Sequence, residues 1–410
     1  MYDLQGACQE RWHVCIFSTT KLMAFFLVCL SSLVLAVLSS YVMQLITDAR
    51  RRLPPGPWPL PVIGNVLHVS RKHPHRSLAC LAERHGPLMT VRLGASLFVV
   101  ASAPAAAREI LQRHSASLSG RSPADAWRGA GHGANSVFVL QPGAKWRALR
   151  RLGAAQLFSP RRLEELRPLR RDAVQGLLQD VLSESGGGAP VSVRRAAFAA
   201  MARLLWRAMF SEELHEAASG CLHDGVREAM ALVMTPNVSD LFPAVAAADL
   251  QGVRRRMAAQ IGRPYQLIDR EIERRTRGRE SGGGGGCARR NDLLDVMLGM
   301  SEQQDSGGVT INHDVIRAFC TDLFVGASDT SSNTIEWALA ELLQNPKTML
   351  RAQEELKSVL GSKSQVEDSD IDNLPYLQAI VKETLRLHSV VPLMSYRADA
   401  TVQMQRIHHP

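Results

Sequence analysis

The chain has 410 residues, 46% of them hydrophobic and 21% charged, which is enough apolar mass for a large core built as one unit or a few. No fixed-period repeat is visible, and the seven cysteines (Cys8, Cys15, Cys29, Cys80, Cys221, Cys287 and Cys320) form no Cys-x-x-Cys pair and no Cys/His metal spacing, which excludes a disulfide framework and fits a reducing compartment. The net charge of +9, clustered at Arg50 to Arg52, Arg161/Arg162, Arg170/Arg171 and Arg254 to Arg256, favours an anionic partner, although solvated helix faces also account for such clusters. With 5% aromatic residues and no nucleic-acid-binding motif, no nucleic-acid partner is expected.

Residues 1–21 read as an N-terminal extension, with Met23 available as an alternative start. Leu22 to Thr47 is a run of 26 residues without a formal charge, and about 20 apolar helical residues suffice to cross a bilayer core. Arg50, Arg51 and Arg52 follow at once, as in a stop-transfer flank, and the positive-inside rule places the rest of the chain in the cytosol. Arg11 and Lys21 weaken that asymmetry, and a buried helix of a soluble body is the alternative. Residues 48–64 form a basic, proline-rich hinge: Pro54, Pro55, Pro57, Pro59 and Pro61 exclude helix and interior strand and favour extended, semi-rigid backbone. Such a segment can fix the orientation of a body over a membrane.

Residues 65–410 read as one mostly helical body with a small β portion. A strand pair is expected at Leu88–Leu93 and Leu97–Ser102, turning at Gly94-Ala95. Helical windows follow near 104–114, 143–158, 161–184, 195–210, 222–234, 249–276, 290–301, 312–345, 347–360 and 374–388. Ser119–Gly143 is Gly-, Ala- and Pro-rich and reads as a long loop of the kind that carries function. Ser185–Gly188 and Ser281–Gly286 read as flexible breaks, and the second lacks the Lys-Ser/Thr ending of a phosphate-binding loop.

Three segments carry candidate chemistry. The window from Asn312 to Pro346 has a cap, an apolar face and a stop, yet its middle, Gly326-Ala327-Ser328-Asp329-Thr330-Ser331-Ser332-Asn333-Thr334, is small and polar. A helix that contradicts its own propensity usually does so for function. Small residues let a large ligand approach the backbone, and Asp329 with Thr330 can relay protons through water; a hydroxyl-rich kink against another helix is the competing reading. In Lys382-Glu383-Thr384-Leu385-Arg386, Glu383 and Arg386 share a helix face and can pair, as many exposed pairs do. Asn373 reads as the cap of that helix, with Pro375 just inside. In Trp146-Arg147-Ala148-Leu149-Arg150, Trp146 and Arg150 can present an indole N–H and a guanidinium to one anion, or merely stack.

In this order and at these separations, the segments resemble a plant microsomal cytochrome P450, from the anchor to about Asp399. The resemblance implies a mostly α cytochrome P450 fold behind one transmembrane helix, a haem cofactor, an NADPH-dependent reductase partner, a lipophilic substrate and a place in the endoplasmic reticulum membrane with the body facing the cytosol. It implies that Asp329 and Thr330 serve oxygen activation, that Gly326 and Ala327 lie against the cofactor, and that Trp146, Arg150 and Arg397 meet its propionates. Glu383 and Arg386 would be structural. Ser119–Gly143, residues near 200–250 and Val390–Arg397 would line the substrate pocket. The text from Leu241 to Met257 resembles the branch that oxidises monoterpenoids and related specialised metabolites. Two departures are small: Ala327 stands for the usual glycine, and Ser389 for the usual proline after Arg-Leu-His. The large one is that no cysteine follows Cys320, whereas the family holds its iron through a thiolate after the Glu-x-x-Arg helix. Cys320 lies nine residues before Asp329, about 13.5 Å along a helix, and so cannot substitute. The sequence reading therefore expects a monooxygenase body shortened before its haem loop and inactive by itself. A non-catalytic anchored helical protein that binds no haem is its alternative.

Overall fold

A computed structural model describes the backbone of residues 4–186, 188, 190–280, 290–302, 310–361, 363 and 366–404; the side chains of the first 22 residues, Ala24 and Glu280 are outside the description. Gly187 of the first expected break, Ser281–Gly286, and His408 and His409 at the tail lie outside the described residues. The chain divides into two compact units, one running to His114 with Leu241–Ala244 and the chain from Gln403, the other made of Ser115–Asp240 and Val245–Val402.

The first unit begins with helix α1, Leu4–Arg50. Among its described residues, Ser31, Ser32, Ser39, Ser40 and Thr47 each donate to a carbonyl three or four residues back, so these hydroxyl protons are paired among the apolar side chains. Strands β1 (Leu88–Leu93) and β2 (Ser96–Ala101) pair antiparallel, from Leu88 opposite Ala101 to Leu93 opposite Ser96. The second strand starts one residue earlier than expected, because Gly94 takes a positive φ of 59° and shortens the turn to two residues. Met89 and Val91, on one face of β1, bury against Leu81 and Ala82 of helix α2 (Pro74–His85). That helix is absent from the windows expected from periodicity; its apolar stripe is too sparse to register.

The hinge is not a free spacer. Thr90 N–H donates to Pro55 O at 2.9 Å, and a Cβ on Gly56 would lie 2.0 Å from Thr90 O, so only glycine fits against the strand. Asn65 binds Pro57 O and Trp58 O with its amide and accepts from Arg92 N–H at 2.9 Å. Arg92 in turn pairs with Asp48, near the end of α1, through Nη2 at 2.9 and 2.7 Å from the two carboxylate oxygens.

The second unit is helical: α3 (Ala144–Gln156), α4 (Arg167–Ser185), α5 (Val193–Phe210), α6 (Glu216–Met234), α7 (Val253–Glu280), α8 (Leu293–Glu302), α9 (His313–Gln344), α10 (Pro346–Leu360) and α11 (Pro375–Leu387). Its core lies where α5 runs along α9. Ala196, Ala197, Ala200 and Ala202 keep α5 narrow, so that Phe198, Trp206 and Phe210 share one buried cluster with Ile316, Phe319, Cys320 and Phe324. Each such side chain contributes about 1.5–3 kcal/mol on burial. Arg275 is buried too, and it is matched by Asp292 and Asp295 at 3.0 and 2.7 Å.

Two expectations change. The single window 161–184 is broken at Leu166 into Pro160–Glu165 and α4, since Pro168 has no N–H to continue the first helix. Asn373 does not cap α11, because it belongs to the 3₁₀ turn Asp368–Asn373. The leading amides of α11 are instead bound from α10, by the Glu355 carboxylate at 2.8 Å from Tyr376 N and 2.9 Å from Leu377 N.

Candidate active site

Asn312 caps α9 as expected, accepting from Val315 N–H at 3.0 Å, and the helix then runs unbroken through the small, polar segment. Within that segment the hydroxyls turn back on the backbone, so that none is left unpaired on the packed side: Ser328 Oγ donates to Phe324 O at 2.7 Å, Thr330 Oγ1 to Gly326 O at 2.8 Å and Thr334 Oγ1 to Thr330 O at 2.9 Å. Ser328 and Ser332 face the packed interior and are fully buried. Gly326, Ala327, Asp329 and Thr330 are only partly covered, so the segment has a sealed face and an open one.

Asp329 is held from the side. Arg194, at the start of α5, places Nη2 2.9 Å from Asp329 Oδ1, while its Nε makes no hydrogen bond and lies 4.0 Å from Glu336 Oε2. The pair engages Oδ1 and leaves Oδ2 of this carboxylate to accept a proton, whereas Thr330 can donate forward only by releasing Gly326 O.

One turn before Gly326, the buried Asp322 clamps the Ser119–Gly143 segment, which carries 3₁₀ turns at Asp125–Ala134. Its carboxylate accepts from Ser136 Oγ at 2.9 Å, Val137 N–H at 2.6 Å and His132 Nε2 at 2.9 Å. His132 Nδ1 is 2.8 Å from the Tyr265 hydroxyl of α7. Burial, reinforced by the Asp322 charge, pushes the Tyr265 pKa up, so that hydroxyl stays protonated and donates to the imidazole. The clamp seats Phe138 on α9: a Cβ on Gly326 would lie 2.8 Å from Phe138 Cζ, so glycine there makes room for the ring. It also reaches α3, because Trp146 Nε1 donates to Val137 O at 3.2 Å. The indole N–H is therefore spent on the protein, and the Arg150 guanidinium lies 5.8 Å from the Trp146 ring centroid.

Arg397 lies on a bridge formed by its own N–H to Gly120 O at 2.7 Å. Its guanidinium meets Asp399 Oδ1 at 2.9 Å and Gln141 Oε1 at 3.3 Å. Beside it, Arg121 stands 5.2 Å from the Tyr396 ring centroid, with its Nε buried and unpartnered. An unsatisfied buried guanidinium N–H is costly, and a carboxylate would relieve it. Glu383 and Arg386 bind each other at 2.6 and 2.8 Å on an exposed face of α11; the hydrogen bond from Arg386 holds the Glu383 carboxyl below its ordinary range.

The arrangement fits the haem implied by the sequence in part. Arg121 and Arg397 suit a propionate end, and the open face of α9 suits a flat ligand. Cys320 does not fit as a ligand for the haem iron: burial pushes its thiol up to about 12, so it is a neutral core residue. Arg121, Arg194, His132, Tyr265 and Asp322 were not singled out from the sequence. Asp322 carried a signal, a carboxylate on the apolar face of α9 between Cys320 and Phe324.

The chain is 38% identical over 364 residues to carnosic acid synthase of Rosmarinus officinalis, covering 86% of this chain and 71% of that protein. It is 39% identical over 347 residues to cytochrome P450 76C1 of Arabidopsis thaliana, covering 83% and 67%. With geraniol 8-hydroxylase of Catharanthus roseus it shares 38% identity over 347 residues, covering 84% and 69%. The cytochrome P450 family profile matches residues 54–403, and the protein belongs to the cytochrome P450 family, in its plant terpenoid-hydroxylase branch.

Proposed function

We propose that the chain serves hydroxylation of a lipophilic small molecule of the terpenoid class, with dioxygen and with electrons from an NADPH-dependent reductase, on the cytosolic side of the endoplasmic reticulum membrane. The observation that carries this reading is the continuous α9 with its half-open Gly326/Thr330 face and a carboxylate, Asp329, restrained beside it. The names of the relatives, geraniol 8-hydroxylase and carnosic acid synthase, support the terpenoid class. In this reading haem supplies the oxidising chemistry when bound. Asp329 and Thr330 hold and pass the proton, Arg194 orients the carboxylate, Phe138 walls the pocket, and Arg121 and Arg397 bind the anionic edge of the cofactor.

A second reading is favoured by one observation: Cys320, the cysteine on α9, is fully buried, and burial pushes its thiol up to about 12, so it stays neutral. In that reading the chain is a non-catalytic, membrane-anchored helical protein that binds no haem. The reduced, carbon monoxide-bound spectrum of the expressed chain separates the two. A thiolate-type Soret band with stoichiometric haem and hydroxylated terpenoid product supports the first, and full-length expression without that band supports the second.

A further inference from the structure

The His132 ring is buried, and both of its nitrogens are engaged. Because the Tyr265 hydroxyl stays protonated, it donates to Nδ1 across 2.8 Å. Nε2 then carries the ring proton and donates to Asp322 Oδ1 at 2.9 Å. Phenol, imidazole and carboxylate thus form one directed line. Asp322 is itself buried, and among the described residues its ion-pair partner is His132, with no Lys or Arg beside it. A cation formed on the imidazole would face an otherwise unmatched negative charge.

That line suits loss of an electron from the phenol. An oxidised phenol is strongly acidic, and a base already hydrogen-bonded to the hydroxyl can take its proton in the same step. At Tyr265 the O–H bond would break and an N–H bond would form at His132 Nδ1, within one existing contact. The hydrogen bond survives with its direction reversed, from imidazolium N–H to phenoxyl oxygen, so no buried polar group loses its partner. Arg317, 4.9 Å from the Tyr265 ring centroid, does not oppose the change. The phenoxyl is neutral, and the guanidinium is matched by Asp269 at 3.1 Å and by Asp314. Tyr41, by contrast, donates to the Pro59 carbonyl, which is no base.

The electron also has a route. The Trp127 indole is stacked on the His132 ring with centroids 5.5 Å apart, and the Phe138 ring lies 6.3 Å from Trp127, against Gly326 of α9. An aromatic path therefore joins Tyr265 to the open face of that helix.

We propose that Tyr265 is a redox-active tyrosine, giving one electron through Trp127 to a one-electron oxidant at the Gly326 face and its phenolic proton to His132. Tyr265 is oxidised to the neutral phenoxyl, the oxidant is reduced by one electron, and Trp127 ends as it began. Such a residue spends an oxidant that has met no substrate. The presence of an oxidant at that face rests on the oxygen chemistry proposed above; the redox activity of Tyr265 does not.

The test supplies the oxidant by light and needs no haem. The full chain in detergent is illuminated with ruthenium tris-bipyridine and persulfate, frozen, and examined by electron paramagnetic resonance. The expected signal is a neutral tyrosyl radical that is absent from Tyr265→Phe. Its yield should fall at least about tenfold in His132→Gln, which keeps a hydrogen-bonding side chain but removes the base. Circular dichroism checks that both variants are folded. A further readout needs no variant: after exchange into deuterium oxide, electron–nuclear double resonance should show a deuteron hydrogen-bonded to the phenoxyl oxygen. A tyrosyl signal unchanged in Tyr265→Phe, tryptophanyl radicals alone, or a Tyr265 radical without that deuteron overturns the proposal. Absence of a thiolate-type Soret band from the same preparation counts against the proposed function alone and leaves the tyrosine's activity standing.

Discussion

Arg194 and Asp329 are joined across the α5–α9 interface, guanidinium Nη2 to carboxylate Oδ1, at 2.9 Å. The pair is partly open, with side chains 31% and 14% exposed, so its coupling is modest. A double-mutant cycle with Arg194→Gln and Asp329→Asn, read by urea unfolding in detergent, is expected to give about 1 kcal/mol. A coupling above about 3 kcal/mol would make Asp329 a structural residue and remove it from the proton-handling role.

Asp322 is a different case, because its carboxylate is the shared acceptor for three donors, those of the buried His132 and Ser136 and the half-buried Val137 amide. Asp322→Asn keeps one acceptor and turns an amide N–H toward groups that also donate. The expected loss is about 2 kcal/mol of stability, seen as a lower unfolding midpoint, together with faster proteolysis between Ser119 and Gly143. An unchanged midpoint would show that the clamp carries no weight.

At Gly326 the expected sign depends on a neighbour. In the native chain, Gly326→Ala drives a methyl into the Phe138 ring, 2.8 Å away at Cζ, and is expected to destabilise. In a Phe138→Ala background that obstacle is gone, and the same substitution should stabilise by about 0.5–1 kcal/mol through helix propensity alone. The reversal is measurable by thermal unfolding, and equal effects in both backgrounds would refute the contact.

Asp240 gives a pH-dependent outcome. Burial raises its carboxyl pKa, outweighing the hydrogen bond it accepts from Asp125 N–H at 2.6 Å. A carboxyl with a raised folded-state value favours folding when protonated, so its contribution is full below the ordinary value near 3.8 and is lost as pH rises through the folded-state value. Asp240→Asn, which keeps the acceptor, is expected to stabilise the chain at pH 7 and to lose that advantage in acid. Unfolding midpoints across the acid range decide it.

Much of this was readable in the sequence, and the parts that were not share a cause. The cap at Asn312, the strand pair and the boundaries of α9 follow from local propensity, which a single chain displays directly. Asn373 failed as a cap because Glu355, distant in sequence, had taken the amides of α11. Trp146 and Arg150 were rightly seen as neighbours, yet the indole proton goes to Val137 O, a partner no spacing announces. Arg121 and Arg194 drew no attention because arginine on a helical or loop surface is ordinary, and only the fold shows one with a buried, unmatched Nε and the other beside Asp329. Long-range polar pairing is what a linear reading leaves out.

The Val137 amide, finally, sits in an irregular segment, yet its proton is given to a buried carboxylate on the central helix at 2.6 Å. Its solvent exchange then requires the Asp322 cluster to open, not merely a loop to fluctuate. In a deuterium-labelling experiment this one amide should keep time with the core of α9, exchanging orders of magnitude more slowly than its position outside any helix or strand suggests. The Ser119–Gly143 segment would thus share, at Val137, the lifetime of the helix it faces.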